Sequence, residues 1–159
     1  MEQCKRGEGS DCIAFEQRVR SVLAMKTIAV VGMSTQEDRP SYRVGKYLMD
    51  HGYDVIPVRP GGGEILGRTV VGSLREIDHP IDIVDVFRRS EDCEEIAADA
   101  VSIGAKVLWL QEDIISHEAE KIAQDAGLIF VMDTCIKKMH EKFVGDPSVQ
   151  LSAPQEQTG

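Results

Sequence analysis

The sequence predicts an α/β fold built on an open, parallel, five-stranded sheet with helices on both faces. Three observations carry this. Short β-branched apolar runs alternate with segments whose apolar residues recur at helical spacing. The links between them are short, and glycines stand where the helical segments stop, at Gly52, Gly104 and Gly127. Strand–helix alternation of this kind pairs strands in parallel through helical crossovers, and right-handed crossovers leave few topologies. The order 3-2-1-4-5, Rossmann-like, is the one expected.

The elements follow in turn. Residues 1–11 read as a flexible leader and 144–159 as a disordered tail, leaving one domain over 12–143. Residues 12–25 are helical, with Phe15, Val19, Val22 and Leu23 on one face. Thr27–Val31 is the first strand, ending at Gly32, and a polar loop runs from Met33 to Ser41. Val44, Tyr47 and Leu48 then share a helical face. Asp54–Val58 is the second strand, stopped by Pro60 and three glycines. Residues 64–80 are turns with a brief extended piece, and Ile81–Phe87 is the third strand. Ser90 is placed to cap the next helix, whose first turn carries Glu91, Asp92, Glu94 and Glu95. Lys106–Leu110 is the fourth strand, a helix with Ile115, Ala119 and Ile122 follows, Leu128–Met132 is the fifth strand, and Ile136–Phe143 is a closing helix.

Composition narrows the function. Eighteen basic against 27 acidic residues give a net charge of −9. Bulk nucleic-acid binding needs a basic footprint, and attachment to anionic membranes needs the same, so neither is expected. No apolar run approaches the length of a membrane span, and the first residues lack a secretory apolar stretch, which points to the cytoplasm. The four cysteines, Cys4, Cys12, Cys93 and Cys135, form no CxxC pair and are expected to be reduced thiols. A protein partner or a homodimer is compatible with all of this.

In an open parallel sheet the ligand sits beyond the carboxyl ends of the strands, at the switch point beside strand one. The residues there are therefore the candidates. After strand one, Gly32-Met33-Ser34-Thr35-Gln36-Glu37 keeps only the first glycine of the GxGxxG dinucleotide fingerprint. Gly32 allows the sharp turn, Ser34 supplies a hydroxyl, loop N–H groups can face a phosphate, and the helix starting near Ser41 presents its N-terminus to an anion. After strand two, Arg59 stands where an NAD site places an acidic residue on the ribose, which favours a ligand with a phosphorylated ribose, NADP or coenzyme A. After strand three come Phe87, Arg88 and Arg89, one arginine expected to face the anion and one the solvent. After strand four, Trp109 and Gln111 share a strand face at the mouth. After strand five, Cys135 precedes a helix, whose dipole would favour thiolate, but an inert buried thiol is the reading expected. The histidines, His51, His79, His117 and His140, are assigned to surface positions. No catalytic set and no metal-ligand pattern emerges: HExxH, GxSxG and Walker patterns are absent.

Taken together, these segments resemble a known family. Ile28–Ser34, Gly52–Pro60, Ile65-Leu66-Gly67, Ser73-Leu74, Asp82–Arg88, Gly104–Gln111 and Asp133–Lys137 occur in order and at the spacing of the small stand-alone CoA-binding proteins, which share the CoA-binding domain of the succinyl-CoA synthetase α subunit. The resemblance implies that Gly32, Met33 and Ser34, with Arg39 and Ser41, hold the CoA phosphates. It implies that Val58, Arg59 and Pro60 border the adenosine end, and that Phe87, Arg88 and Trp109, with Gln111 nearby, line the pantetheine path. Four positions depart from the family. Met33 stands for a small residue and is expected to crowd the loop; Arg59 stands for asparagine; Glu112 and Asp113 follow Gln111 where glycine is usual and are expected to repel a phosphate close by. The synthetase subunit uses a second domain with a phosphorylated histidine, and no equivalent histidine is found here.

The expected function is therefore binding of coenzyme A or an acyl-CoA without ligase chemistry. Two alternatives stay open: an NADP-binding oxidoreductase-like protein, and a protein-interaction module whose ligand pocket has decayed.

Overall fold

A computed structural model describes residues 9–145, with side chains from residue 14 onward. The elements are α1 (Gly9–Leu23), β1 (Thr27–Val31), α2 (Pro40–Asp50), β2 (Asp54–Val58), β3 (Glu64–Ile65), β4 (Arg68–Thr69), β5 (Ile83–Val86), α3 (Cys93–Ser102), β6 (Val107–Leu110), α4 (His117–Asp125), β7 (Ile129–Val131) and α5 (Ile136–Phe143). Residues 9–11, read from sequence as leader, belong to α1; the rest of the leader and the tail from residue 146 lie outside the described residues. No helix among the described residues is long and apolar enough to cross a membrane.

Five parallel strands form the main sheet in the order β2-β1-β5-β6-β7. The fold class is the expected one, but the strand order is corrected. In terms of the five parallel strands it is 2-1-3-4-5, not 3-2-1-4-5. Two physical reasons are visible. The outer edge of β2 is already used: Val71 accepts from the Arg59 N–H and donates to the Pro57 carbonyl, both at 2.9 Å, so the chain covers its own edge there. And Ile83, Val84, Asp85 and Val86 are all buried, which suits a strand paired on both sides. Asp82 and Asp85 make that segment read as less central than it is.

Strand alternation sorts the core into two layers. Ile28, Val30, Ile83, Val107 and Trp109 pack against α1, α2 and α5 through Val19, Leu48 and Ile136. Ala29, Val31, Val84, Val86, Leu108 and Leu110 pack against α3 and α4 through Ile96, Ala97, Ala119 and Ala123. The small residues of α3 and α4 let both helices lie close to the sheet. Ser116 caps α4 by accepting from the Ala119 N–H at 3.1 Å. Ser90 does not cap α3; it lies in a 3-10 turn and its Oγ accepts from Ile115 N–H at 3.1 Å, tying the loop after β6 to the start of α3.

Met33 does not crowd the loop. Its side chain is fully buried and turned into the layer beneath α2. Space for it comes from Gly45, where an added Cβ would lie 2.4 Å from Met33 Cε and 3.0 Å from Sδ. The large residue after Gly32 and the glycine in α2 are thus one packing unit. Gly45→Val is expected to cost about 1–3 kcal/mol by overpacking. In urea denaturation, adding Met33→Ala should recover part of the loss, a non-additivity that residues in contact show and distant ones do not.

Candidate functional site

The helices reverse their direction of progress between β1 and β5, so the crevice opens above these two strands. Gly32 shapes its floor. It has φ +86°, and its N–H donates to the Val58 carbonyl at 2.8 Å while Phe87 N–H donates to Val31 at 2.8 Å. A Cβ here would stand 2.7 Å from the Phe87 carbonyl oxygen and 2.9 Å from Arg88 Cδ. Only glycine satisfies both the dihedral and the contact.

Above this floor lies a cleft of about 480 Å³, within the range of small-ligand sites. It gathers nine of the residues predicted from sequence: Gly32, Met33, Ser34, Arg39, Ser41, Arg59, Pro60, Phe87 and Arg88. Thr35, Gln36 and Pro40 complete the wall. Thr35 and Gln36 were legible only as members of the loop after strand one. A smaller cleft of about 220 Å³ adjoins it, sharing Arg59, Pro60 and Arg88. Its walls combine Val31, Val58, Leu74 and Ile96 with the Asp92, Glu95 and Asp99 carboxylates. Val58 therefore belongs to the second cleft.

The loop is internally braced. Ser41 Oγ accepts from Ser34 N–H and Ser34 Oγ accepts from Gln36 N–H, each at 2.9 Å. Two of the loop N–H groups expected to face an anion are thus spent on hydroxyls, and it is the hydroxyl protons of Ser34 and Ser41 that are left to donate outward. α2 starts with Pro40 at its first turn and has no side-chain cap on Arg39, so its N-terminal N–H groups are left for an anion. Three guanidinium groups ring the cleft. Arg59 donates to the Met33 carbonyl at 3.3 Å, Arg39 reaches Gln36 Oε1 at 3.4 Å, and Arg88 pairs with Asp92 at 3.1 Å. Arg89 is the outward arginine, paired with Glu91 and Asp92 at 3.5 Å.

Two predicted residues are elsewhere. Trp109 is fully buried, its Nε1 donating to the Thr134 carbonyl at 2.7 Å, and Gln111 is buried with Nε2 donating to Asp85 Oδ1 at 2.5 Å. Neither lines a cleft; the side chains follow the strand alternation down into the layer under α1, α2 and α5 rather than out of its mouth. Glu112 and Asp113 line neither cleft. Glu112 pairs with Lys138 at 2.9 Å, and Asp113 sits in a left-handed turn with its N–H on Asp133 Oδ1 at 2.8 Å. The two carboxylates therefore do not stand in the walls of either cleft.

The surface assignment of one histidine is corrected. His140 is buried, with Nδ1 2.8 Å from the Tyr47 hydroxyl, and burial together with His51 holds it below the ordinary histidine range. Burial, the largest influence, lifts the Cys135 thiol above its usual value; Glu112 and Asp85 add to this against the opposing Lys138 and Lys137 N–H groups. Sequence reasoning did not single out Asp85. It is fully buried in the central strand, and burial pushes its carboxyl up to about 7 against the lowering effect of Gln111.

The class is a Rossmann-like α/β domain with an arginine-ringed cleft at its switch point, where open parallel sheets receive their ligands. The particular family is then plain: residues 26–141 match the CoA binding domain family, and the chain belongs to it. Over 115 residues it is 46% identical to the uncharacterized protein YneT of Bacillus subtilis (strain 168), covering 72% of this chain and 85% of that one. A hypothetical protein from Pyrococcus horikoshii OT3 superposes with a TM-score of 0.79 at 39% identity, over 82% of this chain and 92% of that one. A Thermus thermophilus protein does so with 0.76 at 35% identity, over 80% and 97%. The dinucleotide-forming acetyl-coenzyme A synthetase 1 of Ca. Korarchaeum cryptofilum shares the fold, with a TM-score of 0.59 at 19% identity over 66% of this chain and 25% of that one.

Two predictions follow from the geometry. Gly32→Ala should destabilise the domain by about 1–3 kcal/mol, through the strained dihedral and the Phe87 carbonyl contact, as read by chemical denaturation. Asp85 binds its proton more tightly folded than unfolded, so its contribution to stability is full below pH ~4 and is lost as pH rises towards 7. In thermal melts across that window, Asp85→Asn should remove this decline, leaving a flatter curve than wild type.

Proposed function

We propose that the chain binds coenzyme A or an acyl-CoA in the paired clefts and performs no ligase chemistry of its own. The observation that carries this reading is the convergence of Arg39, Arg59 and Arg88 with the uncapped start of α2 around one crevice, on a chain whose net charge is −9. A concentrated cationic site on an acidic protein marks a local anionic ligand rather than a general polyanion surface. Ser34 and Ser41 would donate to the phosphates, and Arg39 and Arg59 would pair with them. Arg88, common to both clefts, would hold the ligand where it bends from one into the other. Membership of the family supports coenzyme A as the ligand class. Arg59 at the end of β2 also fits the ribose phosphate of NADP, which is the competing reading.

Ligand-induced thermal stabilisation separates them. Coenzyme A and acetyl-CoA at about 100 times the dissociation constant should add roughly 2.7 kcal/mol, several degrees for a domain of this size. NAD and NADP should add little. Arg88→Ala should abolish most of the shift while leaving the unliganded melt nearly unchanged, because its pair with Asp92 is partly exposed. A shift with NADP alone would favour the oxidoreductase-like reading, and no shift with any of the four would leave a protein-interaction scaffold.

A further inference from the structure

A second cluster of titratable side chains lies away from the clefts, where the end of α2 meets α5. Tyr47 comes from the last turn of α2, His51 from the residue that ends it, Tyr53 from just before β2, and His140 from α5. The four rings pack on one another. His140 stands 5.0 Å from His51, 5.3 Å from Tyr47 and 5.7 Å from Tyr53, centroid to centroid, and each meets it edge-on. His51 lies 4.0 Å from Tyr47.

The hydrogen bonds decide where protons sit. A carbonyl can only accept, so His51 Nδ1 carries a proton and donates it to the Tyr47 carbonyl at 2.7 Å. His140 Nδ1 lies 2.8 Å from the Tyr47 hydroxyl, and a neutral ring accepts from that hydroxyl. The Tyr53 hydroxyl donates to the Leu23 carbonyl, which ties the cluster to the end of α1.

His140 is 3% exposed, so charge placed on it is poorly solvated. Two further basic groups stand round the same phenol: His51 against its ring, and Lys137 with Nζ 5.1 Å from the ring centroid. The neighbouring carboxylates are engaged. Glu141, beside His140 on α5, is paired with Lys137 at 2.9 Å, and Asp50, beside His51 on α2, with Lys46 at 2.9 Å. From α1, Arg20 is paired with Glu16 at 2.7 Å and donates to the Phe143 carbonyl at 3.1 Å. A proton on His140 therefore enters a buried site already rich in basic groups, and turns its bond to Tyr47 from acceptor to donor. The consequence falls on α5. Ile136 and Met139 fix its apolar face, and the Tyr47–His140 bond ties it to α2. The His140 carbonyl also accepts from the Val144 and Gly145 N–H groups, both at 2.8 Å, so the helix is closed at the same residue.

We propose that the His140–Tyr47 contact is an acid-sensitive latch that holds α5 on α2, closed while His140 is neutral and loosened when it takes a proton. The latch is independent of what the clefts bind. Burial, followed by His51, holds the folded His140 below the ordinary histidine range against the opposing Glu141. Its contribution is thus full above the unfolded value of about 6.5 and is lost as pH falls below it. Asp85 acts in the opposite direction, contributing more as pH falls, so the latch is read locally and not from a whole-domain melt.

The test is amide hydrogen exchange of the full chain at about pH 7.5 and about pH 5.5, corrected for intrinsic exchange, with an NMR titration of the His140 ring. Protection over residues 137–145 should fall by roughly threefold or more relative to α4 at the lower pH. The His140 midpoint should lie below about 6.5. His140→Gln, which cannot titrate and offers an amide oxygen to the Tyr47 hydroxyl, should give the same α5-to-α4 ratio at both pH values. A wild-type ratio that does not change with pH would overturn the proposal, and so would a His140 midpoint at or above about 6.5. A pH-dependent loss that persists in His140→Gln would also overturn it, because another group would then be responsible. If that variant fails to fold, the two wild-type readouts still decide.

Discussion

The close approach of two backbones at the switch point governs this structure. Gly32 turns the chain out of β1 with a left-handed dihedral, and its missing side chain lets the Phe87 carbonyl come within what would be 2.7 Å of a Cβ. That contact brings the ends of β1 and β5 together and leaves the crevice above them. Because α2 starts eight residues later at Pro40, the intervening loop is long enough to form a wall instead of a tight phosphate turn. The hydroxyls of Ser34 and Ser41 brace that wall from within, which keeps the loop shaped without a bound ligand.

The second constraint is electrostatic. The surface is acidic overall, so guanidinium groups would be expected to pair away among carboxylates. Arg89 does so. Arg59 instead spends its hydrogen bond on a main-chain carbonyl, and Arg39 on an amide, and neither forms an ion pair among the described residues. Arg88 is held by Asp92 in a partly exposed pair that an anion of higher charge can compete for. The larger cleft is lined by arginines without a carboxylate, whereas the smaller one sets Arg59 and Arg88 against Asp92, Glu95 and Asp99, so the larger end suits a phosphate best.

Much of this was legible in the sequence, for identifiable reasons. The strands and helices were readable because their apolar residues follow periods of two and 3.6, and the strand-end rule then pointed to Gly32, Ser34, Arg59 and Arg88 without any side-chain geometry. What failed was long-range or two-body. The neighbour of β1 depended on Val71 closing the edge of β2, a contact between turn residues that carry no periodic signal. Met33 read as an obstruction because its partner Gly45 lies twelve positions on, inside another element. Trp109 and Gln111 stand at the right end of β6, but which face each side chain takes depends on the layer beneath, where Thr134 and Asp85 receive them. Asp85 itself looked like an ordinary polar residue in a strand; only burial between two neighbours makes it unusual.

The central claim is that the crevice between β1 and β5 is where coenzyme A binds. Amide hydrogen exchange with and without coenzyme A tests it most directly, because it reports the location of binding. The account predicts protection at the amides of residues 32–39, 41, 59 and 87–90, with α4 unchanged. Protection confined to α4, β7 or the outer faces of the helices, with residues 32–41 unaffected, would contradict it.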